Sequence, residues 1–243
     1  MGGLRTTDGH TIASGLLFRS ANLADATAMD RLSLHEKHHL TKLIDLRTEA
    51  ERSERPDVAL DQVTYLPIPV FDERVAGISH EKSSEANQIG MVIPKMEELY
   101  HMMATRESCR RNLGKAARQV MEHNFTEGSM LWHCTEGKDR CGLLTVILLL
   151  ALCVDRQQIM EDYLLTNEVN EPKAETYYQR MLQAGRDESE ATAVKNAFLA
   201  KASYLGEAFS AIDEQYSDME TYLCEGLYIP QESILRFRKN VLL

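Results

Sequence analysis

Short apolar stretches alternate with amphipathic ones through the first third of the chain: Gly15-Leu16-Leu17-Phe18-Arg19, Met29 to Leu40, Lys42-Leu43-Ile44-Asp45-Leu46 and Val63 to Val70. This order predicts strand, helix, strand, loop, strand. Pro67 and Pro69 bracket Ile68, so the last strand is expected to end at a sheet edge or run into a loop, because proline has no N–H to give a ladder. The polar stretch Phe71 to Asn87 reads as loop. Apolar residues then recur at spacings of three and four over Met91 to Ala104 and Cys109 to His123, predicting two helices. After a break at Gly128, Ser129-Met130-Leu131-Trp132-His133 suits a buried strand and Gly142 to Val154 a buried helix. From Arg156 onward the pattern is helical, with breaks expected near Gly185, Gly206, Gly226 and Pro230.

These elements predict an α/β fold: a central, mostly parallel sheet of about four or five strands with helices on both faces. Residues 1–243 read as one domain, with a helical insertion at about residues 170–205. A net charge of -10 argues against nucleic acid and anionic lipid as partners, since both need a basic surface. Five cysteines, an odd number scattered along the chain, do not look like a disulfide scaffold, and they point to a reducing, cytoplasmic compartment. The longest apolar run, Leu143 to Val154, is about twelve residues, short of the roughly 20 that span a bilayer, so stable membrane insertion is not expected.

The chemistry lies on the turn His133-Cys134-Thr135-Glu136-Gly137-Lys138-Asp139-Arg140-Cys141-Gly142. With Cys134 at the strand end, the residues after it can curl with their N–H groups inward while the next helix adds its positive N-terminus, making an anion cradle. The same field favours a thiolate at Cys134. Arg140 offers a planar fork that matches two phosphate oxygens, Gly137 a flexible joint, and Gly142 a close start for the helix. Thr135, Glu136, Gly137 and Lys138 are therefore candidate phosphate-binding residues beside the catalytic candidates Cys134 and Arg140.

Residues 133–142 closely resemble the signature His-Cys-x-x-Gly-Lys-Asp-Arg-[Thr/Ala]-Gly of bacterial dual-specificity tyrosine and lipid phosphatases of the atypical kind. Similar stretches extend along the chain, from Gly15-Leu16-Leu17-Phe18-Arg19-Ser20 and Ile44-Asp45-Leu46-Arg47-Thr48 through Asp162-Tyr163-Leu164-Leu165-Thr166-Asn167 to Tyr222-Leu223-Cys224-Glu225-Gly226-Leu227. The resemblance implies a phosphocysteine intermediate on Cys134, phosphate binding by Arg140, a phosphorylated protein or phosphoinositide as substrate, and no cofactor. It offers Asp139 as the general acid, carried inside the loop; the alternative is Asp72, on the separate loop from which other tyrosine phosphatases take their acid. Lys138 would add a second cation beside the phosphate.

Around this loop, Asp45 and Arg47 end a predicted strand, where Arg47 either contacts substrate or forms a structural ion pair, and His133 is expected to fix the loop through hydrogen bonds. Cys141 stands where the family has threonine or alanine. It is a small buried residue, a cause of slower hydrolysis, or a partner that captures oxidised Cys134 as a disulfide. Glu136 stands where small residues are usual, and its carboxylate opposes a dianionic substrate unless it points outward. The family also carries an Asn-x-Arg-Asp-like stretch before its Gly-Gly, whereas Met1 directly precedes Gly2-Gly3 here. A longer natural N-terminus, and with it secretion, therefore stays open. His35 and His39 share a helix face without a third metal ligand in the pattern, so no metal site is expected. Competing readings of the whole chain are a phosphate-binding module without turnover and a rhodanese-like sulfurtransferase.

Overall fold

The computed structural model describes residues 1–71 and 95–243. Among them, strands β1 (Leu17–Ser20), β2 (Leu40–Asp45), β3 (Thr64–Pro67) and β4 (Ser129–His133) form a sheet of order β1-β4-β2-β3, every pair parallel. The expected α/β fold with a parallel sheet is the one observed. β3 lies at an edge and ends on Pro67, as the prolines require. Main-chain bonding still continues past it, with the Ile68 N–H donating to the Asp45 carbonyl at 2.8 Å.

Alternation along the central strands sorts side chains to two faces. Ile44 of β2 and Met130 and Trp132 of β4 enter the main core, whereas Leu43 and Leu131 join a smaller cluster with Leu23 and Leu40. The smaller cluster is covered by Leu34, Val58, Leu60 and Val63, from the segment around α1 (Ala28–Leu32) and the connection to β3. The sequence predicts a longer helix here, through Leu40. It stops early because a π-turn at Ser33–Lys37 leads to His39 at φ 48°, after which the chain enters β2.

A short helix α2 (Glu49–Glu54) opens with a capping box, Thr48 accepting from the Glu51 N–H while the Glu51 carboxylate accepts from the Thr48 N–H. Helices α3 (Met96–Thr105) and α4 (Glu107–Met121) pack on the main core with α5 (Asp139–Ala151), in which every residue but Leu150 is buried. Then come α6 (Arg156–Leu164), α7 (Thr166–Gln183), α8 (Glu188–Phe198), α9 (Ala202–Gln215), α10 (Met219–Thr221) and α11 (Gln231–Val241). The break expected at Gly206 does not occur, because α9 keeps an apolar face of Tyr204, Leu205, Ala208, Phe209 and Ile212 that outweighs the ~1 kcal/mol cost of an internal glycine. Gly185 does end α7, at φ 76°.

Helices α7 and α8 pair through a cluster of their own, Ala174, Met181, Ala191, Val194 and Phe198, with Tyr177 stacked on Phe198 at 4.7 Å. No helix among the described residues is long and apolar enough to cross a membrane.

Trp132, the single tryptophan, is buried with its Nε1–H on the Thr145 hydroxyl at 3.1 Å, so its fluorescence reports the core. Ile147→Ala, which empties a fully buried position on α5, is expected to cost about 2–5 kcal/mol in a urea melt followed at Trp132. A loss under 1 kcal/mol would contradict the packing described.

Candidate active site

The loop between β4 and α5 gathers the sequence candidates at the carboxyl end of the central strand. Gly137 turns it at φ 70°, and a Cβ there would lie 2.7 Å from the Ser20 carbonyl oxygen, so both backbone angle and space demand glycine. The helix starts earlier than the apolar pattern implies. Asp139, Arg140 and Cys141 form its first turn, closed by the Gly142 N–H on the Lys138 carbonyl at 2.8 Å, where an acidic side chain suits the helix dipole. Gly142 lies against Tyr163, whose ring atoms would be 3.2 Å from a Cβ.

Cys134 is wholly buried. Burial pushes its thiol up, the hydrogen-bonded Cys141 thiol adds to this, and the Cys141 N–H at the start of α5 works the other way. Cys141 is equally buried, its Sγ 3.8 Å from the Trp132 carbonyl and 3.9 Å from that of Ser20.

Arg140 meets Glu51 of α2 in a two-pronged pair, Nη1 to Oε2 at 2.8 Å and Nη2 to Oε1 at 2.9 Å. Nη2 also reaches the Thr135 hydroxyl at 3.2 Å, and that hydroxyl donates to Glu51 at 3.0 Å. Burial raises the Glu51 carboxyl, but the Arg140 charge and the Thr48 amide outweigh it and hold the group below its ordinary value. Asn22 ties the loop to the end of β1, its side-chain amide donating to the Thr135 carbonyl at 2.9 Å.

Lys138, expected beside the phosphate, is buried and turned the other way. Its ammonium donates to the Ala197 carbonyl and, at 3.4 Å, to that of Leu199, at the carboxyl end of α8 where carbonyls lack helical partners. It also lies 3.3 Å from Asp139 Oδ1. Glu136 pairs with Lys173 of α7, at 2.6 and 2.7 Å, which neutralises the carboxylate that would otherwise oppose an anion.

Of the two roles expected for Arg47, the structural ion pair is the one observed. Arg47 is buried against Asp45 and Asp57, Nη2 to each carboxylate at 2.7 Å, with Nη1 on the Arg55 carbonyl, and so belongs to the support beneath the loop rather than to a substrate surface. The strand it follows delivers it to a carboxylate pair whose burial requires a cation. His133 joins this support, Nε2 lying 3.0 Å from Asp57 Oδ2 and Nδ1 3.1 Å from the Cys134 carbonyl oxygen. Asp45, Asp57 and His133 bring ligand-type atoms within 4.8 Å of one another, but the Arg47 guanidinium already supplies the positive charge between the two carboxylates.

Asp139 is buried, with Oδ1 accepting from the Tyr100 hydroxyl at 2.7 Å. Burial raises its carboxyl, more than Lys138 and the Tyr100 bond lower it. Asp72, the other acid candidate, lies outside the described residues. Sequence reasoning missed Glu51, Asp57, Tyr100 and Tyr163. Only Glu51 had a local signal, as the third helical residue of its capping box, and that signal speaks of a helix end rather than a partner 89 positions away.

A buried cysteine at the end of a parallel strand, a glycine-jointed loop, and an arginine on the first turn of the next helix define a cysteine-centred site for anionic groups such as phosphate. The sequence profile of the tyrosine phosphatase family matches residues 1–243, and the chain belongs to that family, making it a phosphoric monoester hydrolase. It is 29% identical over 230 residues to a protein of Cupriavidus necator named as a tyrosine-protein phosphatase, covering 94% of this chain and 80% of that one. It is 27% identical over 256 residues to the triple specificity protein phosphatase PtpB of Mycobacterium tuberculosis, covering 92% and 90%. The crystal structure of TpbA from P. aeruginosa aligns at TM-score 0.36 and 15% identity, over 83% of this chain and 89% of that one, too loosely to bear on the argument.

Glu51→Gln removes one partner of a buried ion pair and is expected to destabilise the protein by about 3–5 kcal/mol at neutral pH. Because the folded Glu51 carboxyl is lowered, its contribution is complete above its unfolded value of 4.5 and fades as pH falls through the lower folded value. Urea melts of the two proteins should therefore differ by a constant amount above that pH and converge below it. A difference that grows in acid would contradict the pairing.

Proposed function

We propose that the chain hydrolyses phosphate monoesters through a phosphocysteine, with phosphotyrosine the preferred substrate and phosphoserine, phosphothreonine or phosphoinositides the alternatives. Asp139 carries the reading: a buried carboxyl held above its ordinary value, in the loop that begins at Cys134. Such a group keeps its proton at higher pH than a solvated aspartate, as a general acid must.

The Cys134 sulfur, as thiolate, attacks phosphorus. The S–P bond forms as the ester P–O bond breaks, and the Asp139 proton passes to the leaving oxygen. Water then attacks the phosphocysteine, Asp139 takes a proton from it, and the P–S bond breaks to return thiolate and inorganic phosphate. Inward N–H groups and the Arg140 guanidinium, its plane fixed by Glu51, meet the charge on the phosphoryl oxygens. The Cys134 thiol, pushed up by burial, gives its proton to an oxygen of the phosphate dianion as it enters, and the sulfur then attacks as thiolate. The relative named for triple specificity supports breadth toward more than one phosphorylated substrate class.

Asp139→Asn is expected to lower kcat on phenyl phosphate by about 10²–10³ while slowing p-nitrophenyl phosphate far less, because nitrophenolate leaves without a proton. Equal losses on both would remove Asp139 from the acid role. Cys134→Ser should abolish turnover of both, and phosphate release at the wild-type rate by that variant would overturn the nucleophile.

A further inference from the structure

Behind Asp139 stands a chain of hydroxyls that the catalytic steps above do not use. Tyr100 of α3 and Tyr163 of α6 are both buried, their hydroxyl oxygens 2.7 Å apart, with the Tyr100 hydroxyl 2.7 Å from Asp139 Oδ1. The Tyr163 oxygen also receives the main-chain N–H of Lys201. When Asp139 is a carboxylate, Tyr100 gives it its one hydroxyl proton and Tyr163 then donates to Tyr100. The rings are held independently of their hydroxyls, Tyr100 lying edge-on to Tyr163 at 6.1 Å and tilted on Tyr204 at 5.9 Å.

Two donors therefore converge on one carboxyl oxygen, the Tyr100 hydroxyl and the Lys138 ammonium at 3.3 Å, both on Oδ1. We infer that Tyr100 is a positioning residue for the general acid, its hydroxyl holding the Asp139 carboxyl in the orientation from which it gives its proton to the leaving oxygen, with Tyr163 orienting Tyr100. The inference rests on Asp139 being the acid. Once the proton has left, the Tyr100 bond becomes charge-assisted and stabilises the carboxylate, so the hydroxyl makes Asp139 the stronger acid. The groups facing Asp139 are Lys138 and Glu136 in the loop, Cys134 at the end of β4, Tyr100 from α3, Tyr163 from α6 and Tyr204 from α9.

Tyr100→Phe keeps the ring and removes the bond. Its kcat on phenyl phosphate is expected to fall roughly 10-fold with p-nitrophenyl phosphate within about 2-fold of wild type, and the basic limb of the kcat–pH profile to move up by about one unit, since a carboxylate that loses a donor is harder to form. A merely structural role would lower both substrates together and leave the limb in place, which overturns the inference. In an Asp139→Asn background, Tyr100→Phe should add nothing on phenyl phosphate; a further 10-fold loss there would show that Tyr100 does not act through Asp139. Tyr163→Phe, which leaves the Tyr100–Asp139 bond in place, should shift the limb in the same direction by less, and keeps the test open if Tyr100→Phe does not fold by Trp132 fluorescence; an unmoved limb in that variant counts against the chain. If Asp139→Asn alone shows no selectivity between the two substrates, the acid assignment fails. If it does and Tyr100→Phe shows none, only the role of Tyr100 fails.

Discussion

Burying an ionisable side chain costs several kcal/mol unless a partner meets it, and the turn from β4 to α5 buries four besides its cysteines: His133, Lys138, Asp139 and Arg140. Each partner comes from a different part of the chain. Asp57 reaches His133, the last carbonyls of α8 reach Lys138, Tyr100 of α3 reaches Asp139, and Glu51 of α2 reaches Arg140. The order of the sheet and the docking of α2, α3 and α8 are all tied to satisfying this one loop. Each of these contacts meets a buried group of the site and packs two elements of the fold together, so the site and the stability of the fold are held by the same contacts.

The same partners set the chemistry. Glu51 keeps the Arg140 guanidinium in a fixed plane, and Arg47 and Asp57 brace His133 from below, so the loop is preorganised without sharing its charges with solvent. The sulfur at its centre sits among buried groups whose cations are already engaged, with burial and the neighbouring Cys141 thiol raising it and a single amide of α5 opposing them. The Asp139 carboxyl is raised, chiefly by burial, with the Glu136 charge adding to it.

Elements written in local periodicity were legible: β1, β2, β4, the apolar body of α5 and the glycine-broken pair α7 and α8. Lys138 differed from expectation because a cation near a nucleophile in sequence reads as a phosphate ligand, yet its ammonium is held by carbonyls at the end of α8; for Arg47 the sequence left substrate contact and ion pair both open, and Asp45 and Asp57 make the pair. The start of α5 was placed a turn late because polar residues at a helix N-terminus carry no apolar signal.

By itself the sequence determined the strand-loop-helix unit and the identity of Cys134, Gly137, Asp139 and Arg140 within it, because spacing along a tight turn leaves the backbone few conformations. Only the tertiary structure decided which distant groups complete the site. Glu51 and Tyr100 lie 89 and 39 positions from the residues they hold, and no local pattern encodes a contact that forms only when separate helices pack on the same core.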